Sequence, residues 1–234
     1  MKELFSDWRH VFKLDPDRTL RQRELEAVLG SGTDAIMVGG SSGLTYDNTA
    51  ALLERLAGSD IPIVLEVTHP ELALPGFDAY LIPMVLNTGQ GDWITGRQAL
   101  ALEELAGLIP WEKTWAEGYL ILNEDCEAAR VSGADTSLTE FQAAAFARLA
   151  DRLMRLPLLY VEYSGRFGDM GLLRRVKRVL SGTRLIYGGG IDGPQRASQA
   201  ARVASTVVVG NALYHDLDAA LSTVQAVRET EQEL

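Results

Sequence analysis

Eight short apolar runs recur along this chain, and each is followed by a stretch of different character. They occupy residues 10–15, 34–40, 62–67, 79–86, 114–123, 157–165, 184–190 and 206–211. Runs of this kind bounded by turn residues read as strands buried on both faces, the pattern of a parallel sheet. Helix-like stretches separate them at 19–29, 48–57, 93–108 and 139–153, followed by a basic helix after the sixth strand, a helix from Pro194 and a terminal helix. Between the third and fourth strands, "THPELALPGFD" (68–78) has two prolines and little helical periodicity, so the helix due there is missing or replaced. Eight β/α units without a composition break predict an α/β fold, a TIM (β/α)8 barrel formed as one domain over 1–234. A doubly wound open sheet is the competing architecture.

The formal charge of −10 argues against nucleic acid, because neutralising phosphates along a duplex requires a basic patch. The densest basic stretch, Arg174, Arg175, Lys177 and Arg178, reads as the solvated face of a helix. Cys126 is the lone cysteine, which rules out an intramolecular disulfide and fits a reducing compartment. The N-terminal "MKELFSDWRHVFKLD" has no apolar signal region, and no apolar run approaches the ~20 residues of a membrane span. A cytoplasmic protein is expected.

The seventh and eighth strands both end in glycine, in "YGGGIDGP" and "VVVGNALY". In (β/α)8 barrels these two loops often bind a phosphate through main-chain N–H groups, and glycine permits close approach. Gly189, Gly190, Gly210 and Asn211 are therefore candidate phosphate contacts. Isomerases, aldolases, flavin enzymes and transferases can all be built on such a site, so it names no reaction.

The other strand ends narrow the choice. Alternation puts Lys13 and Asp15 on one side of strand one, and Tyr160, Glu162 and Ser164 on one side of strand six, with Val161 and Tyr163 toward the helices. Lys13 suits a phosphate, and Asp15 suits Mg²⁺, a hard cation held by one or two carboxylates plus phosphate oxygens. Gly39 and Gly40 end strand two and place Ser41 and Ser42 at the same mouth. Glu162 is the candidate base, flanked by Tyr160. His10, His69 and His215 show no metal-ligand spacing, and no GxSxG motif is present.

Taken together, "HVFKLDP", "VGGSSG", "EGYLILNEDCEAA", "YVEYSG", "YGGGI" and "VVVGNALY" resemble the bacterial PcrB branch of the geranylgeranylglyceryl phosphate synthase family, the heptaprenylglyceryl phosphate synthases. The resemblance implies a modified TIM barrel whose third helix is replaced by an extended segment, and a homodimer. It implies a Mg²⁺-dependent prenyltransferase that joins the C3 hydroxyl of sn-glycerol 1-phosphate to a polyprenyl diphosphate. Carried over by motif, Lys13, Tyr160, Val161, Glu162, Tyr163, Ser164, Gly165, Gly190, Gly210 and Asn211 bind substrate. Asp15 and Ser41 belong to the metal and diphosphate site, and Glu162 with Tyr160 is catalytic. A polyprenyl tail needs an apolar groove, which "DWITGRQALALEEL" lines, with the small Ala99 and Ala101 leaving room for a chain longer than C20. A membrane-dissolved substrate implies transient contact with a membrane surface. An isomerase or aldolase, a flavin barrel and a catalytically silent prenyl-lipid carrier remain as rivals.

Overall fold

The computed structural model describes residues 4–40 and 42–233. Strands β1 (His10–Leu14), β2 (Ala35–Val38), β3 (Ile63–Glu66), β4 (Ala79–Val85), β5 (Thr114–Ile121), β6 (Leu158–Glu162), β7 (Arg184–Gly188) and β8 (Thr206–Val209) pair in parallel and in chain order. The last strand returns to the first, with Val11 opposite Val208, and closes the barrel. Around it run α1 (Gln22–Leu29), α2 (Tyr46–Leu56), α3 (Gly96–Leu105), α4 (Glu127–Ser132), α5 (Glu140–Arg148), α6 (Met170–Val179), α7 (Pro194–Ala201), α8 (Ala212–His215) and α9 (Leu217–Arg228).

Alternation along each strand builds two apolar layers. Val11, Met37, Val64, Leu81, Ile121 and Val208 fill the barrel, while Phe12, Leu14, Leu65, Leu120, Val161 and Val207 pack beneath the helices. Both faces are dry, which is why the strand sequences read as near-continuous apolar runs. The N-terminal end is plugged by aromatic rings, with Phe5 edge-on to Trp115 at 5.4 Å and to Trp8 at 6.3 Å. The barrel interior is thus closed at that end, and its polar strand ends lie at the C-terminal mouth.

The segment between β3 and β4 carries a single 3₁₀ turn, Pro70–Leu72, so the third helix is indeed replaced. Elsewhere the strands stop one to several residues short of their expected C-terminal ends. β6 ends at Glu162, not Gly165, because the residues beyond turn away into the mouth loops. The helix expected over 93–108 is α3 alone, flanked by 3₁₀ turns at Gly91–Trp93 and Ala106–Leu108. None of α3 is fully buried. The helix expected over 139–153 is α5, capped by Thr139 and Gln142, continued by a π-helical turn at Leu149–Met154. The short α4, stopped by Gly133 in a left-handed conformation (φ 61°), was not expected, since six residues are too few to show periodicity.

The basic stretch behaves as a solvated helix face. Arg174 pairs with Glu233 at 2.7 Å and Arg175 with Glu140 at 3.1 Å. His10 is buried between the hydroxyls of Thr33 and Thr223, each 2.9 Å away, and burial holds its pKa down to about 3, so it stays neutral. No described helix is long and apolar enough to cross a membrane.

Candidate active site at the barrel mouth

Three strands each project a carboxylate toward one lysine. Lys13 lies on β1, Glu66 ends β3, Glu117 lies on β5 and Glu162 ends β6. The Lys13 ammonium lies 2.8 Å from Glu66 Oε2 and 5.6 Å from the centre of the Tyr160 ring. The Tyr119 hydroxyl donates to Glu66 Oε1, and the Tyr119 ring stacks on Tyr160 with centroids 4.7 Å apart. Ser164 Oγ donates to Glu162 Oε1 at 2.6 Å, and the Asn123 amide holds the same turn by donating to the Ser164 carbonyl at 2.6 Å. Gly39 packs closely here: a Cβ would lie 3.0 Å from that of Glu66, so a side chain at this position would press on that residue.

Sequence reasoning singled out Lys13, Glu162 and Tyr160, and it missed Glu66, Glu117 and Tyr119. The missed residues sit in "PIVLEV" and "TWAEGYLILN". A charge inside an otherwise apolar parallel strand is costly unless paired, and that cost was the available signal.

The local field follows from burial and like charge. Burial opposes the charge on Lys13, but Glu66 and then Glu162 outweigh it, so its pKa is raised. Burial also raises the pKa of Glu162, partly offset by Lys13 and by the Ser164 hydroxyl. Tyr160 and Tyr119 are pushed well up, first by burial and then by the nearby carboxylates.

Glu117 is fully buried, and neither of its oxygens has a hydrogen-bond partner among the described residues. Burial, then the charge of Glu66, pushes its carboxyl well above the usual range, so it is held protonated. The folded chain therefore binds a proton that the unfolded chain has released, and Glu117's contribution to stability is full below the ordinary carboxylate pKa and lost as pH rises through the folded one. Glu117→Gln removes this dependence. It is expected to stabilise the protein at pH 8 by about 1–3 kcal/mol, or several degrees in Tm, with little change at pH 4. Parallel Tm-against-pH curves for the two proteins would contradict the assignment.

The glycine loops lie at the same mouth, but two of their glycines have packing reasons of their own. Gly189 (φ 138°) presses on Tyr163, and Gly190 (φ 59°) presses on the backbone of residues 166–167, so a side chain fits neither. Around Gly165 (φ 83°), by contrast, the space a Cβ would take is open. A Cβ on Gly210 would lie 3.5 Å from the Lys13 carbonyl oxygen, an ordinary contact, and Asn211 Oδ1 accepts from Arg18 at 2.9 Å. The side chains of Val161 and Tyr163 belong to the layer under the helices, so only their backbone reaches the mouth.

Asp15 stands just past β1, partly exposed, with Oδ1 accepting the Asp17 N–H at 3.0 Å. Its own N–H donates to the Tyr214 hydroxyl at 2.9 Å, tying it to α8, which follows β8. A Cβ on Gly40 would lie 2.8 Å from Asp15 Oδ1, so glycine keeps room beside that oxygen. An oxygen donor with cleared space suits a hard cation such as Mg²⁺. No cluster of three or more His, Cys, Asp or Glu suited to a metal exists among the described residues, so such a cation would complete its shell with phosphate oxygens and water. Ser41, the other expected metal contact, lies outside the described residues.

From this polar centre a groove of about 1100 Å³ runs outward between the 68–78 segment and α3. That exceeds the roughly 300–1,000 Å³ usual for small-molecule sites. Lys13, Glu66, Glu162 and Ser164 line its inner end, and Phe77, Ile82, Trp93, Leu105 and Trp111 line the rest. Ala99 and Ala101 are in its wall, where the sequence placed them.

A closed (β/α)8 barrel with glycine-bearing loops after β7 and β8 defines the class to which the chain is assigned, and the side groove distinguishes it within that class. The chain belongs to the PcrB family, whose model matches residues 4–228. It is 49% identical over 226 residues to a heptaprenylglyceryl phosphate synthase of Geobacillus thermodenitrificans (strain NG80-2), covering 97% of this chain and 95% of that one. It is 46% identical over 227 residues to the protein of the same name from Brevibacillus brevis (strain 47 / JCM 6285 / NBRC 100599), covering 97% and 98%. Among solved structures, it is similar to (S)-3-O-geranylgeranylglyceryl phosphate synthase from Thermoplasma acidophilum in complex with its substrate sn-glycerol-1-phosphate. That match has a TM-score of 0.85 and 25% identity, and it covers 97% of this chain and 96% of that one.

Proposed function

We propose that this protein is a prenyltransferase that alkylates the C3 hydroxyl of sn-glycerol 1-phosphate with a long polyprenyl diphosphate, heptaprenyl in length. The observation that carries this reading is the position of Glu162, a buried carboxylate where a polar mouth meets a groove of about 1100 Å³. The names of the PcrB-family relatives support the substrates.

In this reading the phosphate of glycerol 1-phosphate rests on Lys13 and on main-chain N–H groups at Gly190, Gly210 and Asn211. The glycerol hydroxyl is turned toward Glu162, which accepts its proton as the new C–O bond forms and the bond to diphosphate breaks. Ser164 holds the Glu162 carboxylate in place through its 2.6 Å hydrogen bond. Tyr160, buried against Tyr119, forms the floor beneath the reacting groups. Asp15 and Ser41 would hold Mg²⁺, which when bound offsets the negative charge growing on the departing diphosphate. The groove takes the tail and keeps water from the reacting carbon.

The family resemblance carries a homodimer into the same reading. Exposed Leu100, Leu102, Leu108 and Trp111 around α3 and the segment after it support transient contact with a membrane from the cytoplasm. The purified protein should release diphosphate when given heptaprenyl diphosphate, sn-glycerol 1-phosphate and Mg²⁺ together. Omitting either substrate, or adding a chelator, should abolish release. Tight binding of the prenyl diphosphate without turnover would favour a lipid carrier instead.

A further inference from the structure

The mouth holds more carboxylates than cations. Lys13 could pair with Glu66 or with Glu162, and the structure shows which it has chosen: its ammonium is 2.8 Å from Glu66 Oε2. The second oxygen of Glu66 is taken by the Tyr119 hydroxyl, so both ends of that carboxylate are fixed. Tyr119 in turn stacks on Tyr160, two residues before Glu162 on β6. Glu66 is only 3% exposed, and it lines the inner end of the groove beside Lys13 and Glu162. A lysine ammonium has three N–H groups, so one bond to Glu66 leaves two for an anion.

We infer that Glu66 is a positioning residue for the transfer: by holding Lys13 on one oxygen and Tyr119 on the other, it keeps the lysine off Glu162 and sets its own negative charge beside that base. The inference rests on the proposed role of Glu162 as the proton acceptor. Its physical content is a division of labour. Without Glu66, the strongest remaining opposite charge acting on Lys13 is Glu162, and an ion-paired carboxylate is a weaker base that no longer stands free to meet a hydroxyl. Glu66 also repels a negative charge on Glu162 directly, which raises the proton affinity of that carboxyl. The ionisable groups acting on Glu162 are Lys13 from β1, Glu66 from β3, Glu117 and Tyr119 from β5 and Tyr160 on its own strand, with Cys126 and Tyr187 behind. Lys13 is the only cation in that set.

The test is the pH dependence of kcat/KM for glycerol 1-phosphate in Glu66→Gln, which keeps the shape and removes the charge. The expected result is at least a tenfold loss at neutral pH, with the acid limb of the profile moved about one pH unit lower. Glu66→Asp keeps the charge and should hold the limb in place with partial activity. A Glu66→Gln profile that superposes on the parent's, whatever its height, would mean that Glu66 is merely structural and overturns the inference. Should Glu66→Gln fold poorly, Tyr119→Phe supplies a second reading, because it frees Glu66 Oε1 without altering charge. Its limb should move down in the same direction by a smaller amount, because Glu66 held at one oxygen keeps the lysine less firmly from Glu162, and a limb left in place would count against the inference. Glu162→Gln separates the two ideas. If that variant keeps the acid limb, the base is misassigned; if it loses the limb while Glu66→Gln leaves it unmoved, only the role of Glu66 fails.

Discussion

Glu162→Gln should lower kcat by about 10²–10⁴-fold, the range expected when a positioned general base is removed. The substitution keeps the size of the side chain, and an amide oxygen can still accept from Ser164 Oγ, so the barrel should fold as before. Removing a carboxyl that burial already disfavours in its charged form should leave Tm at neutral pH unchanged or raised. The pair of measurements matters more than either alone. Lost turnover with an intact melting curve assigns the carboxylate to the chemistry, whereas lost turnover with a lowered Tm assigns it to the fold. In the parent, activity should rise with pH through an apparent pKa above the ordinary carboxylate value, because Glu162 must be deprotonated to accept a proton and its pKa is raised.

Ala99→Trp should convert a long-chain groove into a short one. Ala99 stands in the wall of the cavity on α3, and an indole there fills space that the distal tail requires. Each CH₂ returned to water costs ~0.8 kcal/mol, so leaving even four carbons uncovered costs about 3 kcal/mol, roughly a hundredfold in kcat/KM. Heptaprenyl diphosphate should lose at least that factor while geranylgeranyl diphosphate loses little, and competition between the two substrates reads the ratio directly. Equal losses would show that the tail does not run past Ala99.

How far the sequence revealed this molecule differs between its layers. The strands were legible because each is buried on both faces, so "AIMV" and "TVVV" carry the signal without help from neighbours. The replaced third helix was legible because two prolines forbid helical periodicity in 68–78. Lys13, Asp15 and Glu162 stood out as polar residues at the ends of such strands. Glu66 was as exposed to the same reasoning, but its importance comes from Lys13, 53 residues away in sequence, and only barrel closure brings the two to 2.8 Å. Glu117 is marked in the sequence only as a charge inside the strand "TWAEGYLI", and its lack of a partner shows only once the barrel has closed. The glycines after β7 were noticed for the right place, yet the contacts with Tyr163 and residues 166–167 that demand them are long-range.

One wall of the groove is built differently from the rest of the barrel. The helix α3 buries no side chain completely and shows Leu100 and Leu102 to solvent, so it draws little of its stability from the apolar layers that anchor its neighbours. Elements of that kind sit at the low end of the ladder of local opening energies. A long, sparingly soluble hydrocarbon therefore need not be threaded lengthwise into the cavity. Amide hydrogens along α3 should exchange far sooner than those of the barrel strands.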